Sequence, residues 1–269
     1  MRIAGWLLLL PLLAVAPVPA AAPAGDAGAV LECMRRNAPS RLRVQSLELE
    51  HTDAEGTVQT LKGRLWVVRD GPASGPKQVR AMLRVDAPTH LKGAAYLVRQ
   101  AAPGKGAADG LYVYLPAAKA VRQVTGSVAD GALLGTNFTY RDFKQLVGAF
   151  EGFTVVREPG DAVRDRNAHV LRFTAPPEPG APPRTVRMWV DQKSCAPTWA
   201  EFYEGGRLRK QLSTGQHSLE QVPAGHWFRN EITMNDVRDG SVTVLRLVES
   251  EIVEKLSPRL FDPARFYAD

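Results

Sequence analysis

Cysteine and histidine are scarce in this chain, and their scarcity removes most catalytic and metal chemistries. Two cysteines occur in 269 residues, Cys33 and Cys195, and neither has a histidine close in sequence to activate it as a nucleophile. The five histidines, His51, His90, His169, His217 and His226, stand apart, with no pair at the helical or hairpin spacing that zinc needs. No serine sits in a Gly-x-Ser-x-Gly elbow. The stretch from Gly71 to Lys77 is glycine-containing, but its spacing is wrong for a phosphate loop and a proline stands where a backbone N–H is needed. The expectation is a protein without catalysis, cofactor or metal.

Long apolar runs are missing too, with one exception. Arg2 precedes Trp6-Leu7-Leu8-Leu9-Leu10-Pro11-Leu12-Leu13-Ala14-Val15, which is too short to cross a bilayer as a stable helix. Small residues follow at Val18-Pro19-Ala20 and Ala22-Pro23-Ala24, so residues 1–24 read as a cleaved secretory signal. Cys33 follows Val30-Leu31-Glu32, where a glutamate replaces the small residue that lipidation requires. A periplasmic mature chain, residues 25–269, is expected, forming a single domain.

Charge of one sign is not strongly in excess. Thirty-four Lys and Arg against 28 Asp and Glu give a formal net charge of +6, and the basic residues alternate with acidic ones. Such a surplus suits anionic headgroups or an acidic partner, and an ordinary solvated surface equally well. Nucleic acid has no support in this compartment. An even pair of cysteines in an oxidising compartment suggests a Cys33–Cys195 disulfide, with two buried thiols as the alternative.

What is present is alternation. A short amphipathic helix fits Ala27 to Asn37. Strands follow at Leu42 to His51, Val58 to Arg69, Gln78 to Asp86 and Gly93 to Gln100, each with apolar residues in one phase. The turn Asp53-Ala54-Glu55-Gly56 joins the first two, and Gly205-Gly206 marks a tight hairpin between Trp199–Glu204 and Arg207–Leu212. About eleven strands and two or three short helices, including one over Asp142 to Phe150, predict a mainly β, antiparallel meander with no internal repeat.

One stretch is distinctive. Leu111-Tyr112-Val113-Tyr114-Leu115-Pro116 is followed by the basic strand Lys119-Ala120-Val121-Arg122-Gln123-Val124, then by Gly135-Thr136-Asn137-Phe138-Thr139-Tyr140-Arg141-Asp142-Phe143. With Arg84-Val85-Asp86-Ala87-Pro88, Leu91-Lys92-Gly93-Ala94-Ala95-Tyr96-Leu97, and Trp189-Val190-Asp191 through Phe202-Tyr203 to Gly206, it resembles the LolA-like family of outer-membrane lipoprotein-sorting proteins. The chain is longer than the simplest carriers, which places it in a less characterised branch.

The resemblance implies an open antiparallel half-barrel, LolA/LolB-like, with short lid helices over a greasy concave face. It further implies a monomeric carrier of lipid or an acylated lipoprotein, serving an inner-membrane exporter and an outer-membrane acceptor. A non-shuttling adaptor of an envelope complex is the alternative. Leu47, Leu49, Leu65, Val67, Leu83, Val85, Leu97, Val113, Leu115, Val186, Met188 and Val190 are the predicted inward residues. Alternation alone reads the same face as a packed core; the resemblance makes it a ligand wall. Arg84 is a candidate lid latch through carbonyl hydrogen bonds, and Tyr112, Tyr114 and Tyr140 are candidates for a groove mouth, with packing on the outer sheet the competing reading.

Overall fold

The computed structural model describes residues 27–37, 43–70, 78–100, 110–148, 150, 152–163, 166–215, 217–221 and 226–268. The expected signal segment, residues 1–24, lies outside them. A first helix, α1 (Ala27–Asn37), leads into β1 (Arg43–Thr52), β2 (Val58–Asp70), β3 (Gln78–Ala87), β4 (Ala95–Arg99), β5 (Gly110–Leu115) and β6 (Ala120–Val124). A 3₁₀ turn (Gly126–Asp130) and α2 (Tyr140–Gly148) separate these from β7 (Thr154–Val163), β8 (Arg166–Thr174), β9 (Arg184–Asp191), β10 (Pro197–Glu204) and β11 (Arg207–Thr214). A small hairpin, β12 (Leu219–Gln221) and β13 (Trp227–Arg229), precedes β14 (Glu231–Asp236) and β15 (Val242–Ile252).

Thirteen strands form one antiparallel sheet in the order β6-β5-β4-β3-β2-β1-β15-β14-β11-β10-β9-β8-β7, and the β12–β13 hairpin stands beside it. The expected strand count of about eleven falls short because β12, β13 and the split late strands carry weak alternation. The order divides the chain into two wings of consecutive strands that join where β1 pairs with β15. β6 and β7 are therefore the two free margins, and the chain joining them has to travel from one side of the sheet to the other. The described residues of that segment, 125–148, 150, 152 and 153, cross the concave face.

Local chemistry supports the turns. The Asp53 carboxylate accepts from the backbone N–H of Glu55 and Thr57, closing the β1–β2 turn. Gly205 and Gly206 take φ of +56° and +76°, the left-handed pair that a two-residue hairpin between β10 and β11 requires. On the free margin β7, Pro159 and a register shift between Glu158 and Asp161 interrupt the ladder and blunt the edge.

The sheet carries an apolar cluster on each side. The concave cluster gathers Leu47, Leu49, Leu65, Val67, Leu83, Val85, Val113, Val186, Met188 and Val190 with Val30 of α1 and Phe138, Phe143 and Phe150 of the crossing segment; Leu115 packs against it. Leu97 does not belong to it. Tyr96 pairs with Leu83 and Leu97 with Met82, so Tyr96 takes the concave phase and Leu97 turns outward.

On that outer side Leu97 meets Val68, Met82, Ala95, Phe261 and Phe266. The chain after β15 runs back over β2 to β5 as a strap. Arg84 donates from Nη2 to the carbonyls of Phe266 (3.4 Å) and Ala268 (3.2 Å). It does bind carbonyls, but those of the strap and not of a lid over the concave face. Tyr112 and Tyr114 pack against the strap as well, Tyr114 stacked on Tyr267 with ring centroids 4.0 Å apart. They lie on the face opposite Tyr140, so the three tyrosines share no groove.

Candidate functional site

The site is the concave wall and the roof above it. The roof begins with a short ladder, in which Ala132 bridges Thr139 and the Leu133 N–H meets the Phe138 carbonyl at 2.7 Å. Its apolar side chains, Leu133, Phe138 and Phe143, point down into the wall cluster. Tyr140 reaches Tyr96 of the wall, ring centroids 5.6 Å apart. Burial, first among the causes, pushes the Tyr96 phenol far above its ordinary value.

The polar side chains of the same segment reach sideways to the rim. Asn137 donates from Nδ2 to the carbonyls of Ser241 (2.7 Å) and Met234 (3.3 Å), and accepts at Oδ1 from Ser241 Oγ (3.1 Å). Its backbone N–H donates to Thr243 Oγ1 at 3.0 Å, and its carbonyl accepts from Lys210 Nζ at 3.1 Å. Thr139 and Asp142 cap the N-terminus of α2 reciprocally: the Thr139 N–H donates to Asp142 Oδ2 (2.8 Å) and the Asp142 N–H to Thr139 Oγ1 (3.0 Å). Asp142 also accepts from Lys210 Nζ.

A second clasp holds the other flank. Arg141 donates from Nε to Asp130 Oδ1 (2.6 Å) and from Nη1 to Glu178 Oε1 (3.0 Å), while Arg184 Nη2 reaches the same Glu178 oxygen at 2.5 Å. Burial alone would raise the Glu178 carboxyl, but the hydrogen bonds and charges of Arg184 and Arg141 hold it below the usual range. α2 thus hangs between the 3₁₀ turn, the β8–β9 loop and β11 on polar contacts, with its apolar face on the wall.

Beside the roof opens a cavity of about 540 Å³. Phe150, Phe153, Val186 and Phe202 supply apolar lining; Asp130, Arg141, Asp142, Arg184, Lys210 and Asp236 are among its charged groups. Of the twelve predicted wall residues, Val186 lines this cavity, ten others belong to or pack against the concave cluster, and Leu97 lies on the outer face under the strap. In this conformation the wall is covered by the chain itself. α1 is fastened as well, since Cys33 is disulfide-bonded to Cys195 in the β9–β10 turn. Among the described residues no cluster of three or more His, Cys, Asp or Glu side chains forms a candidate metal site.

The clasp residues Asn137, Arg141, Asp142, Arg184 and Lys210 escape the sequence reading. A local signal exists only for Thr139 and Asp142, whose three-residue spacing fits a helix cap. Arg141 and Arg184 have Asp130 and Glu178 only 11 and 6 residues away, but the partners that tie Asn137, Arg141 and Asp142 to distant parts of the chain lie 37 to 106 residues off, beyond any local pattern.

An open antiparallel half-barrel, roofed by a segment that joins its two margins, is the LolA-like fold. Solved structures share it, among them the following three. A DUF1329 family protein from Desulfovibrio piger superposes with a TM-score of 0.77 at 20% identity, covering 89% of this chain and 97% of that one. An outer membrane lipoprotein-sorting protein domain from Vibrio parahaemolyticus, described as putative, gives 0.74 at 19% identity, covering 90% and 100%. A LolA superfamily protein from Nitrosomonas europaea gives 0.68 at 17%, covering 88% and 97%. At such identities the likeness is one of fold. The chain belongs to the family whose model, described as "Uncharacterized protein", matches residues 77–267. No curated protein matches the sequence.

Proposed function

We propose that this protein is a periplasmic carrier, secreted through residues 1–24 and acting through a single domain over residues 25–269. It takes up the acyl chains of a lipid or lipoprotein against the concave wall and performs no catalysis. An inner-membrane exporter supplies the cargo and an outer-membrane acceptor removes it. The observation that carries this reading is the contrast within the roof: apolar side chains seal the wall from above, while polar contacts at the rim hold the roof in place.

α2 is the moving part, because α1 is tied to the β9–β10 turn by its disulfide. When the roof lifts, an acyl chain replaces Leu133, Phe138 and Phe143 against the wall. Each buried methylene contributes about 0.8 kcal/mol, so a long chain gains on the order of 10 kcal/mol before ordering costs. The ligand shifts the population toward the open form only by its preference for that form.

One observation favours a second reading. The wall is covered by the protein's own side chains in this conformation, as expected for an adaptor that docks an envelope complex with a permanently closed core. Mass spectrometry of lipids extracted from protein purified out of its native compartment separates the two. A carrier comes out with stoichiometric acylated material and takes it up again after delipidation. Protein that is empty on isolation and refuses acyl chains from vesicles would be an adaptor.

A further inference from the structure

At the end of the concave wall remote from the cavity lies a cation without a counter-charge. Trp227 and Arg229 alternate on one face of β13. Arg229 Nη1 donates to the Pro197 carbonyl at 3.2 Å, and among the described residues no carboxylate lies within ion-pair distance of its guanidinium. The same carbonyl accepts from Thr214 Oγ1 at 3.0 Å. Thr214 is buried two residues along β11 from Leu212, a member of the concave cluster, so the guanidinium stands at the foot of the wall.

Burial pulls the Arg229 pKa down to about 10. The residue as a whole is half-buried, while its guanidinium is closely surrounded by protein. A desolvated charge facing a single carbonyl is costly until an anion joins it. Two residues before Arg229 on the same strand, the Trp227 ring carries Lys193, whose Nζ rests 5.9 Å from the ring centre, exposed and likewise without a carboxylate among the described residues.

We infer that Arg229, assisted by Lys193, receives the oxyanion head of an acyl chain, a carboxylate or a phosphate, whose tail lies along the concave wall. The inference rests on the carrier reading and narrows its cargo to anionic amphiphiles. Dimensions agree: β10 runs from Pro197, the Arg229 partner, to Phe202, Tyr203 and Glu204 at the cavity. At about 3.3 Å per residue the strand covers roughly 25 Å, the reach of a long extended acyl chain.

The test is a fluorescence titration of the full mature protein with pyrene-tagged dodecanoate and with its methyl ester. The wild type is expected to bind the carboxylate about tenfold or more tightly than the ester, as a charge-assisted hydrogen bond provides. Arg229→Met brings that ratio near one, and Arg229→Lys leaves an intermediate value. A wild-type ratio near one, or a ratio that survives Arg229→Met in a chain that still melts cooperatively, overturns the inference. If Arg229→Met does not fold, the wild-type ratio and the Arg229→Lys ratio decide. Inorganic phosphate that binds as tightly as the tailed anion assigns the site to free anions and also overturns it. Tight binding of both probes without preference sinks this inference and leaves the carrier; binding of neither removes the carrier reading as well.

Discussion

Lys210 of β11 and Asp142 of α2 form a largely buried ion pair at the point where the roof helix begins, their side chains 11% and 10% exposed. The lysine also holds the Asn137 carbonyl, so one ammonium group ties the ladder and the helix of the roof to the rim.

Removing the lysine leaves the Asp142 carboxylate buried with only the capping bond it accepts from the Thr139 N–H. Lys210→Met is therefore expected to cost about 3 kcal/mol, the usual penalty for half of a buried pair. Urea denaturation measures it. Hydrogen exchange over residues 133–148 should rise more than exchange over β2, because the roof loses its anchor before the wall does. Equal acceleration in both would show that the pair supports the whole fold and not the roof.

Acid should loosen the second clasp. Glu178 titrates below its ordinary 4.5 in the folded chain, because the favourable contacts with Arg184 and Arg141 outweigh the upward push of burial. As pH falls, the unfolded chain takes the proton first, so the stabilisation is present above about 4.5 and is lost as pH drops through the depressed folded value. Glu178→Gln removes that dependence. Midpoints of denaturation for the two proteins should differ at neutral pH and converge in acid; parallel curves would mean the clasp contributes nothing.

The Cys33–Cys195 bridge closes a separation of 162 residues. Constraining the unfolded chain over such a loop contributes about 4 to 5 kcal/mol in the chain-entropy account. The double variant Cys33→Ser/Cys195→Ser is expected to lose stability of that order in calorimetry. Wild-type protein under reductant should follow it.

The C-terminal strap is structural. Phe266 is fully buried against the outer face, and Arg84 binds the carbonyls on either side of Tyr267. Phe266→Ala is expected to cost about 3 to 4 kcal/mol, the usual range for a buried aromatic. Val248→Ala, at an exposed position, serves as the control and should change almost nothing. A Phe266→Ala protein as stable as the wild type would mean the strap is not docked in solution.

Where one face of a strand is wet, sequence and structure agree: Leu61, Leu65 and Val67 of β2 turn inward while Lys62 and Arg64 stay exposed. The rule fails at β4. Ala95, Tyr96, Leu97 and Val98 are all buried, because the strap dries the outer face as completely as the roof dries the inner one. With no polar residue to mark a phase, a one-residue slip exchanges the faces, and Leu97 is assigned to the wrong one. The disulfide partners are readable from cysteine number alone. The rim contacts of Arg141 and Lys210 are not, since they exist only once distant strands are neighbours.

The free margins β6 and β7 are linked through residues 125–153, and the two wings meet only along β1 and β15. Any widening of the trough must therefore draw slack from the same length of chain that covers it. Girth and cover are set by one thread: lengthening that thread by inserted residues should let the gutter spread, and shortening it should clamp it shut.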